Sequence, residues 1–229
     1  MAELDSFQSS SSVKPRIKMI DESKLNNKNM YRIIKRILDI LGSLFGLLFL
    51  SPLFLIVALL MKREEPHGPI FFSQMRVGKD EKQFKMFKFR SMCIDAEEKL
   101  EELLDHNEVD GAMFKIKDDP RVTKVGKFIR KTSIDELPQL WNVLKGEMSL
   151  VGPRPPLIRE VAEYTEYDKK RLLVKPGCTG AWQVSGRNDV GFDEMVSLDL
   201  DYIDNLSLWN DIKIVFKTVG VIFKPNSAY

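Results

Sequence analysis

Residues 40–61 carry no charged side chain, and this apolar stretch constrains the fold more than any other feature of the chain. At about 1.5 Å per residue, a straight helix of that length reaches about 30 Å, the thickness of the hydrocarbon core of a bilayer. Helices of small soluble domains rarely stay apolar on every face, so a buried core helix is the weaker interpretation. The sequence therefore predicts a helix that inserts into a lipid bilayer.

Ser51 and Pro52 lie near the middle of this stretch. A proline removes one helical hydrogen bond and clashes with the preceding turn, so we expect the helix to break here. Basic residues flank both ends of the stretch, and basic flanks favour the cytoplasmic side of a membrane. These features favour a re-entrant helix over residues 30–63, which enters the membrane and returns. A kinked helix that spans the membrane is the alternative.

Asp39 lies at the edge of the apolar stretch, where an unpaired carboxylate is costly. Lys35 and Arg36 precede it by one helical turn, so either side chain can reach it on a helix. We therefore expect Asp39 to be an interfacial anchor paired with one of these cations, and not a catalyst.

Three regions follow from the composition: a polar, disordered tail over 1–29, the membrane-inserted segment over 30–63, and a cytosolic domain over 64–229. In that domain, apolar and polar patterns predict short strands near 69–72 and 84–89 and helices over 94–105, 127–130, 137–144, 193–204 and 208–223. Residues 106–120 are predicted to be a loop. We expect an α/β (α+β) fold, mostly helical with a small sheet, and amphipathic helices at the surface, the last with a broad apolar face towards lipid.

The composition excludes several classes of function. Two cysteines and two histidines make a disulfide framework, a zinc site or a histidine-based triad implausible, and both cysteines are expected to be free thiols. A formal net charge of +2 gives no reason to expect nucleic acid as a partner. Acid–base or nucleophilic chemistry then falls to carboxylates, Lys, Tyr or Cys.

Asp135 and Glu136 are adjacent carboxylates that precede a helical pattern, with Thr132 and Ser133 as expected caps. Acids are common in the first turn of a helix, so capping alone is one interpretation. Adjacent side chains on a helix point about 100° apart, so one acid can attack phosphorus while the other holds a metal.

Candidate anion-binding residues occur in three places. Gly152 and the prolines around Arg154 form a rigid turn that presents its guanidinium, a group suited to phosphate. The loop 176–188 combines glycines with an aromatic, an amide and an arginine, and can cradle a nucleotide. The third place is a scattered group of cations: Arg76, Lys85, Lys88, Arg90, Lys127, Arg130 and Lys131. A surface turn, a structural loop and a solvated basic face are the respective alternatives.

Several long motifs in fixed order resemble the bacterial sugar transferases, the monotopic polyprenyl-phosphate phosphoglycosyl transferases. In this sequence they read KRILDI, SP within the apolar run, FFSQMRVG, FKFRSM, GKFIRKTSIDELPQLWNVLKGEMSLVGPRPP, KPGCTGAWQVSGRN and LDLDYIDNLSLWNDIKIVFKT. The resemblance covers residues 31–229. Leu157 after the proline-rich motif and Ala181 before Trp182 depart from the family pattern, and the second bears on sugar or nucleotide fit.

The resemblance implies an enzyme that moves a sugar phosphate from a UDP-sugar to polyprenyl (undecaprenyl) phosphate and releases UMP. Asp135 would be the nucleophile that holds the sugar phosphate covalently, and Glu136, with Asp135, would bind Mg²⁺. Binding of substrate is assigned to Lys88, Arg90, Arg130, Arg154, Gln183 and Arg187, and the hairpin break to Ser51 and Pro52. The enzyme would lie in the bacterial inner (cytoplasmic) membrane, facing the cytoplasm, and would begin exopolysaccharide or capsule synthesis with glucose or galactose. A homodimer is left open.

Two alternatives come from other classes. A membrane-anchored scaffold has no need for the intact pair Asp135 and Glu136. A conventional glycosyltransferase would release UDP, and its Asp-x-Asp metal motif should follow a nucleotide-binding βαβ pattern. The one such spacing we identify, Asp199 and Asp201, instead lies in a predicted helix near the end of the chain.

Overall fold

Helices dominate the secondary structure. The computed structural model describes residues 20, 28–96, 98–99, 119–185 and 191–223. The α-helices are α1 (Asn29–Phe49), α2 (Ser51–Glu64), α3 (Lys124–Lys131), α4 (Gln139–Lys145), α5 (Ile158–Ala162), α6 (Phe192–Asp204) and α7 (Leu208–Phe223). The strands are β1 (Phe71–Val77), β2 (Gln83–Phe89), β3 (Ser149–Val151) and β4 (Gly177–Thr179). The expectation of a mostly helical α+β chain with little sheet is confirmed, as are the predicted helices of 127–130, 137–144, 193–204 and 208–223.

Several predictions fall outside the described residues. These are the tail over 1–29, apart from residues 20, 28 and 29, and most of the predicted helix 94–105 and loop 106–120. The same holds for the part of the glycine-rich loop that contains Arg187.

The helix pair α1–α2 breaks at the predicted place. Leu50 separates the two helices, Pro52 lies in the first turn of α2, and the axes bend by 54°. The Ser51 hydroxyl donates to the Leu48 carbonyl at 2.7 Å, which ties the start of α2 to the end of α1. Among the described helices, none taken singly has the length and apolarity of a membrane span, whereas this bent pair has both when taken together.

The predicted pairing of Asp39 is wrong. Its carboxylate accepts hydrogen bonds from the Ser149 hydroxyl at 3.0 Å and the Leu150 N–H at 2.9 Å. Lys35 instead pairs with an acid of α7, and Arg36 donates to two carbonyls at the end of α4. The reason is that β3, α4 and α7 lie close to α1 and offer Asp39, Arg36 and Lys35, respectively, partners outside their own helix. Asp39 thus fastens α1 to the rest of the chain.

The strands β1 and β2 form an antiparallel hairpin in which Phe72 lies opposite Lys88. Asn142, fully buried on α4, receives the Phe87 N–H at 3.0 Å and donates to the Lys85 carbonyl at 2.7 Å. This buried amide fixes the hairpin to α4. The two short strands β3 and β4 pair in parallel beside them.

Apolar contacts join α2 to β2, to α3 and to the turn that follows α3. Val57 and Met61 of α2 are buried against Phe89 at the end of β2 and Ile129 of α3, and Ile134 packs on the same cluster. A second cluster joins α6 and α7 to β3. The other face of α7 is exposed, as expected from its pattern: Trp209, Ile212, Val215, Phe216 and Val219.

Candidate active site

A cleft of about 910 Å³ opens between the β1–β2 hairpin, the turn after α3, the segment between β3 and α5, and the loop after β4. The walls include most of the predicted site residues: Lys88, Arg90, Arg130, Asp135, Glu136, Arg154 and Gln183. Residues that are far apart in sequence therefore meet in one place, as expected of a functional site.

The acid pair lies on a 3₁₀ turn, Ile134–Glu136, and not in the first turn of an α-helix. Ser133 before it has a left-handed backbone with φ of 55°, and its side chain makes no capping hydrogen bond to this turn. The Thr132 hydroxyl points backwards and donates to the Phe128 carbonyl at 2.8 Å. The prediction that these two residues cap a helix is wrong, because α4 begins only after Pro138.

Asp135 is 9% exposed, and burial raises the pKa of its carboxyl from 3.8 to about 6. The Lys88 ammonium opposes this shift, and Glu136 adds to it. A pKa of about 6 leaves Asp135 mostly ionised at neutral pH. The turn therefore presents an ionised, poorly hydrated carboxylate to the cleft, which is the state that a nucleophile needs.

Lys88 reaches both acids from β2. Its Nζ lies 2.8 Å from Glu136 Oε1 and 4.0 Å from Asp135 Oδ2. One ammonium thus partly neutralises two adjacent carboxylates, whose mutual repulsion otherwise opposes ionisation.

Arg154 also lines the cleft. Its guanidinium contacts Glu160 at 3.2 Å and its side chain is 26% exposed, so it is held yet open to a ligand. A Cβ on Gly152 would lie 2.5 Å from the Lys175 carbonyl oxygen, so only glycine fits where this loop crosses the chain before β4. Arg171, fully buried, donates to the Arg154 carbonyl at 3.4 Å.

The Asp-x-Asp spacing of α6 has a structural explanation. Asp199 is 1% exposed and pairs with Arg171 at 2.6 Å, and Arg171 also donates to the Tyr164 hydroxyl at 2.7 Å. This buried ion pair supports the wall that carries Arg154. The prediction that the spacing belongs to a helix is confirmed.

Arg90 and Arg130 occupy the edge of the cleft nearest α2. Arg130 Nε donates to Ser91 Oγ at 2.8 Å, and the charge of Arg130 helps to lower the pKa of the Asp135 carboxyl. The Arg90 guanidinium binds the Glu65 carboxylate, the Pro69 carbonyl at 2.7 Å and the Met92 carbonyl at 2.9 Å. These bonds favour a structural role for Arg90, and its predicted role in substrate binding stays a prediction.

Arg76 was not singled out from the other cations, yet it belongs to the cleft wall. It is 8% exposed, and burial, followed by the nearby charge of Arg154, lowers its pKa to about 10. It donates to the Pro155 carbonyl at 3.1 Å and to Gln74 Oε1 at 2.8 Å. Period-two alternation along β1 with Phe72, another cleft residue, is the signal that would have identified it.

The loop after β4 brings hydrogen-bonding groups to the cleft. The Gln183 amide donates to the Cys178 carbonyl at 3.3 Å, whereas its Oε1 and the Trp182 Nε1 are buried with no partner within the described residues. Both cysteines are free thiols, as expected.

The donor set fits a divalent cation that a substrate helps to bind. No group of three or more His, Cys, Asp or Glu side chains in the described ranges forms a metal cage. Asp135 and Glu136 supply two adjacent carboxylates in the cleft. Mg²⁺ at phosphate sites typically takes one or two carboxylates and fills its shell with water and phosphate oxygens, so these residues suffice.

A buried carboxylate thus lies among cations in one cleft, an arrangement that suits an anionic ligand such as a phosphate compound. The profile of the family described as bacterial sugar transferase matches residues 30–225. The chain belongs to this family.

Three relatives illustrate the similarity. The chain is 52% identical over 202 residues to the galactosyl transferase CpsE of Streptococcus agalactiae, covering 88% of this chain and 44% of CpsE. It is 43% identical to the exopolysaccharide production protein ExoY of Rhizobium meliloti, covering 85% of this chain and 88% of ExoY. It is 40% identical to a UDP-glucose:undecaprenyl-phosphate glucose-1-phosphate transferase of Klebsiella pneumoniae, covering 91% and 43%. The chain thus spans less than half the length of the first and third relatives and most of the second.

Proposed function

We propose that this chain transfers a sugar 1-phosphate from a UDP-hexose to undecaprenyl phosphate and releases UMP. The Klebsiella relative is named for transfer of glucose 1-phosphate from UDP-glucose to undecaprenyl phosphate, and the name of CpsE refers to galactose. ExoY is named for exopolysaccharide production, and priming of an exopolysaccharide or capsule is the role we propose here. The observation that carries the proposal is Asp135, buried in a cationic cleft with a pKa of about 6.

The proposed reaction has two displacements at one phosphorus. A carboxylate oxygen of Asp135 forms a bond to the sugar-linked phosphorus, and the bond from that phosphorus to the UMP oxygen breaks. UMP leaves with the electron pair. A phosphate oxygen of undecaprenyl phosphate then attacks the same phosphorus and displaces the Asp135 carboxylate, which is regenerated.

Neighbouring residues make this attack feasible between anions. Lys88, Arg130 and Arg154 surround the place where the diphosphate must lie, and their charge reduces repulsion of the attacking carboxylate. Asp135 and Glu136 would hold Mg²⁺, which supplies further neutralisation of the phosphate oxygens when bound. We assign Gln183 and Arg187 to the nucleotide end, because both belong to the glycine-rich loop 176–188 and Gln183 lines the cleft.

We further propose that α1 and α2 form a re-entrant hairpin in the bacterial cytoplasmic membrane and that residues 64–229 face the cytoplasm. The 54° bend and the exposed apolar side chains of both helices support this arrangement. It would bring a soluble sugar nucleotide and a membrane-bound lipid phosphate to one cleft.

The test uses the purified chain in nanodiscs with Mg²⁺, undecaprenyl phosphate and a panel of UDP-sugars, and measures UMP and UDP separately. We expect UMP with UDP-glucose or UDP-galactose, none with Asp135→Asn, and full activity with Glu163→Gln, an exposed acid outside the cleft. Release of UDP would indicate transfer of the sugar alone. Absence of both nucleotides with every donor would favour the scaffold.

A further inference from the structure

The C-terminal end of α2 carries two adjacent acids, Glu64 and Glu65, whose bonds reach elements that hold proposed catalytic groups. We propose that both are positioning residues, which fix the acid turn and the Lys88 strand relative to the helix pair α1–α2. The proposal rests on the proposed function.

Glu64 caps α3 from another helix. Its Oε1 accepts the Lys124 N–H at 2.8 Å, and its Oε2 accepts the Val125 N–H at 3.0 Å. The first N–H groups of a helix have no partner within it and favour negative charge. The local cap, Thr123, satisfies only the Gly126 N–H, at 2.9 Å. The carboxylate of α2 therefore completes the start of α3.

Helix α3 leads directly into the acid turn. The Ser133 N–H donates to the Arg130 carbonyl at 3.0 Å, so the last turn of α3 sets where the 3₁₀ turn with Asp135 begins. A rotation or shift of α3 would therefore move Asp135 in the cleft. The two hydrogen bonds from Glu64 restrict that movement.

Glu65 acts on the other catalytic element. It pairs with the Arg90 guanidinium, which also binds two backbone carbonyls, that of Pro69 before β1 and that of Met92 after β2. Arg90 directly follows β2 and lies two residues after Lys88. The pair thus fixes the end of the strand that presents the ammonium to Asp135 and Glu136.

Apolar packing alone does not provide this precision. Val57 and Met61 hold α2 against the same two elements, but burial of apolar surface is not directional. Hydrogen bonds to charged groups have defined geometry and hold α3 and β2 in one rotation relative to α2. Glu64 therefore links α2 to the turn that carries Asp135, and Glu65 links α2 to the strand that carries Lys88.

The experiment compares wild type with Glu64→Ala, Glu64→Gln, Glu65→Ala and Glu65→Gln in nanodiscs, with UMP release measured over a range of UDP-sugar concentrations. Glu166→Ala is the matched control, since it removes an exposed acid that pairs with Lys169 away from the cleft. Thermal unfolding gives the folded fraction of each variant.

We expect both alanine variants to lower kcat at least about tenfold, since misplacement by about 1 Å can cost about 10²-fold. The KM for the donor should change less than kcat, because Arg154 and Gln183 are held by Glu160 and the Cys178 carbonyl and not by α2. Glu64→Gln keeps one acceptor oxygen and should recover part of kcat. The control should match wild type.

The proposal is overturned if the alanine variants keep the kcat of the control. It is also overturned if the loss of kcat in the alanine variants is no larger than their loss of folded protein and Glu64→Gln recovers none of it. Should the alanine variants fail to fold, unchanged kcat in both glutamine variants overturns it. Failure of the wild type to release UMP contradicts the proposed function instead.

Discussion

Asp135 is buried and yet mostly ionised at neutral pH. Burial raises the pKa of its carboxyl to about 6, and Lys88 prevents a larger rise. Burying this charge costs free energy that other interactions of the fold must offset. In the proposed reaction, the carboxylate has little hydration to lose when it attacks phosphorus.

This cost leads to a prediction about stability. Between pH 3.8 and about 6 the folded chain keeps a proton that the unfolded chain releases, so ionisation of Asp135 lowers the free energy of unfolding as the pH rises through this window. We expect metal-free Asp135→Asn to be more stable than wild type at pH 7 by up to about 3 kcal/mol. At about 2–4 °C per kcal/mol, its melting temperature should rise by several degrees.

Thermal unfolding in a chelator at pH 7 and pH 4 tests this, with Glu163→Gln as the control. The difference between Asp135→Asn and wild type should shrink at pH 4, below the point where the wild-type carboxyl gains its proton. A variant that is less stable than wild type at pH 7, or a difference independent of pH, would contradict the assigned state of Asp135.

Lys88 gives a second prediction at this scale. Because its charge lowers the pKa of Asp135, Lys88→Met should raise that pKa above about 6 and move the acidic limb of UMP release to higher pH. We expect about a fivefold loss of rate at pH 6 for each rise of one pKa unit, since the ionised fraction then falls from about a half to about a tenth. Initial rates between pH 5.5 and 8 measure the shift. Lys85→Met is the control, because Lys85 is exposed on the same strand. If the acidic limb of the Lys88→Met profile does not move, Lys88 does not lower the pKa of Asp135.

At the scale of elements, the site depends on how closely α3 approaches the segment after β2. A Cβ on Gly126 would lie 2.0 Å from the Ser91 carbonyl oxygen, so α3 must move away if Gly126 becomes alanine. We expect Gly126→Ala to cost about 1–3 kcal/mol in stability and to lower the rate of UMP release. Gly220→Ala is the control, since a Cβ there meets nothing within 4 Å. A melting temperature equal to that of wild type would show that the contact is not tight.

The spacing of apolar residues and the position of a helix-breaking proline predicted most of the helices and strands. The break at Ser51 and Pro52, strand β2 and the last two helices follow from local patterns, since proline chemistry and side-chain alternation act within a few residues. The first strand was predicted over 69–72 and instead covers Phe71–Val77. Thr132 and Ser133 were predicted to cap a helix, and the acid pair that follows them lies on a 3₁₀ turn instead. The left-handed backbone of Ser133 depends on how α3 and α4 pack, and local sequence does not contain that information.

The candidate site was predicted to a similar degree. The acid pair and Arg154 were identified from motifs, and the structure brings them to one cleft. Arg171 and Glu64 were missed because their partners, Asp199 and the start of α3, are distant in sequence. Asp39 was assigned to neighbours on its own helix for the same reason: a single sequence shows near partners and hides distant ones.

At the scale of the whole molecule, the helix pair determines how the chain meets the membrane. If the pair is re-entrant, cysteines introduced at Asn29 and Arg63, in a background without Cys93 and Cys178, should react with an impermeant maleimide from the same side of the membrane. A cysteine at Phe49, beside the bend, should react from neither side. Labelling of the first two from opposite sides would show a kinked span instead and contradict the hairpin.

The central claim is that Asp135 carries the sugar phosphate covalently between donor and acceptor. The most direct measurement is the intact mass of the wild-type chain after incubation with Mg²⁺ and either UDP-glucose or UDP-galactose, without undecaprenyl phosphate. The account predicts a gain of one hexose phosphate, mapped to Asp135 by peptide analysis, with stoichiometric UMP and loss of the adduct when undecaprenyl phosphate is added. UMP that forms only with acceptor present and without any adduct, or an adduct on another residue, would contradict it.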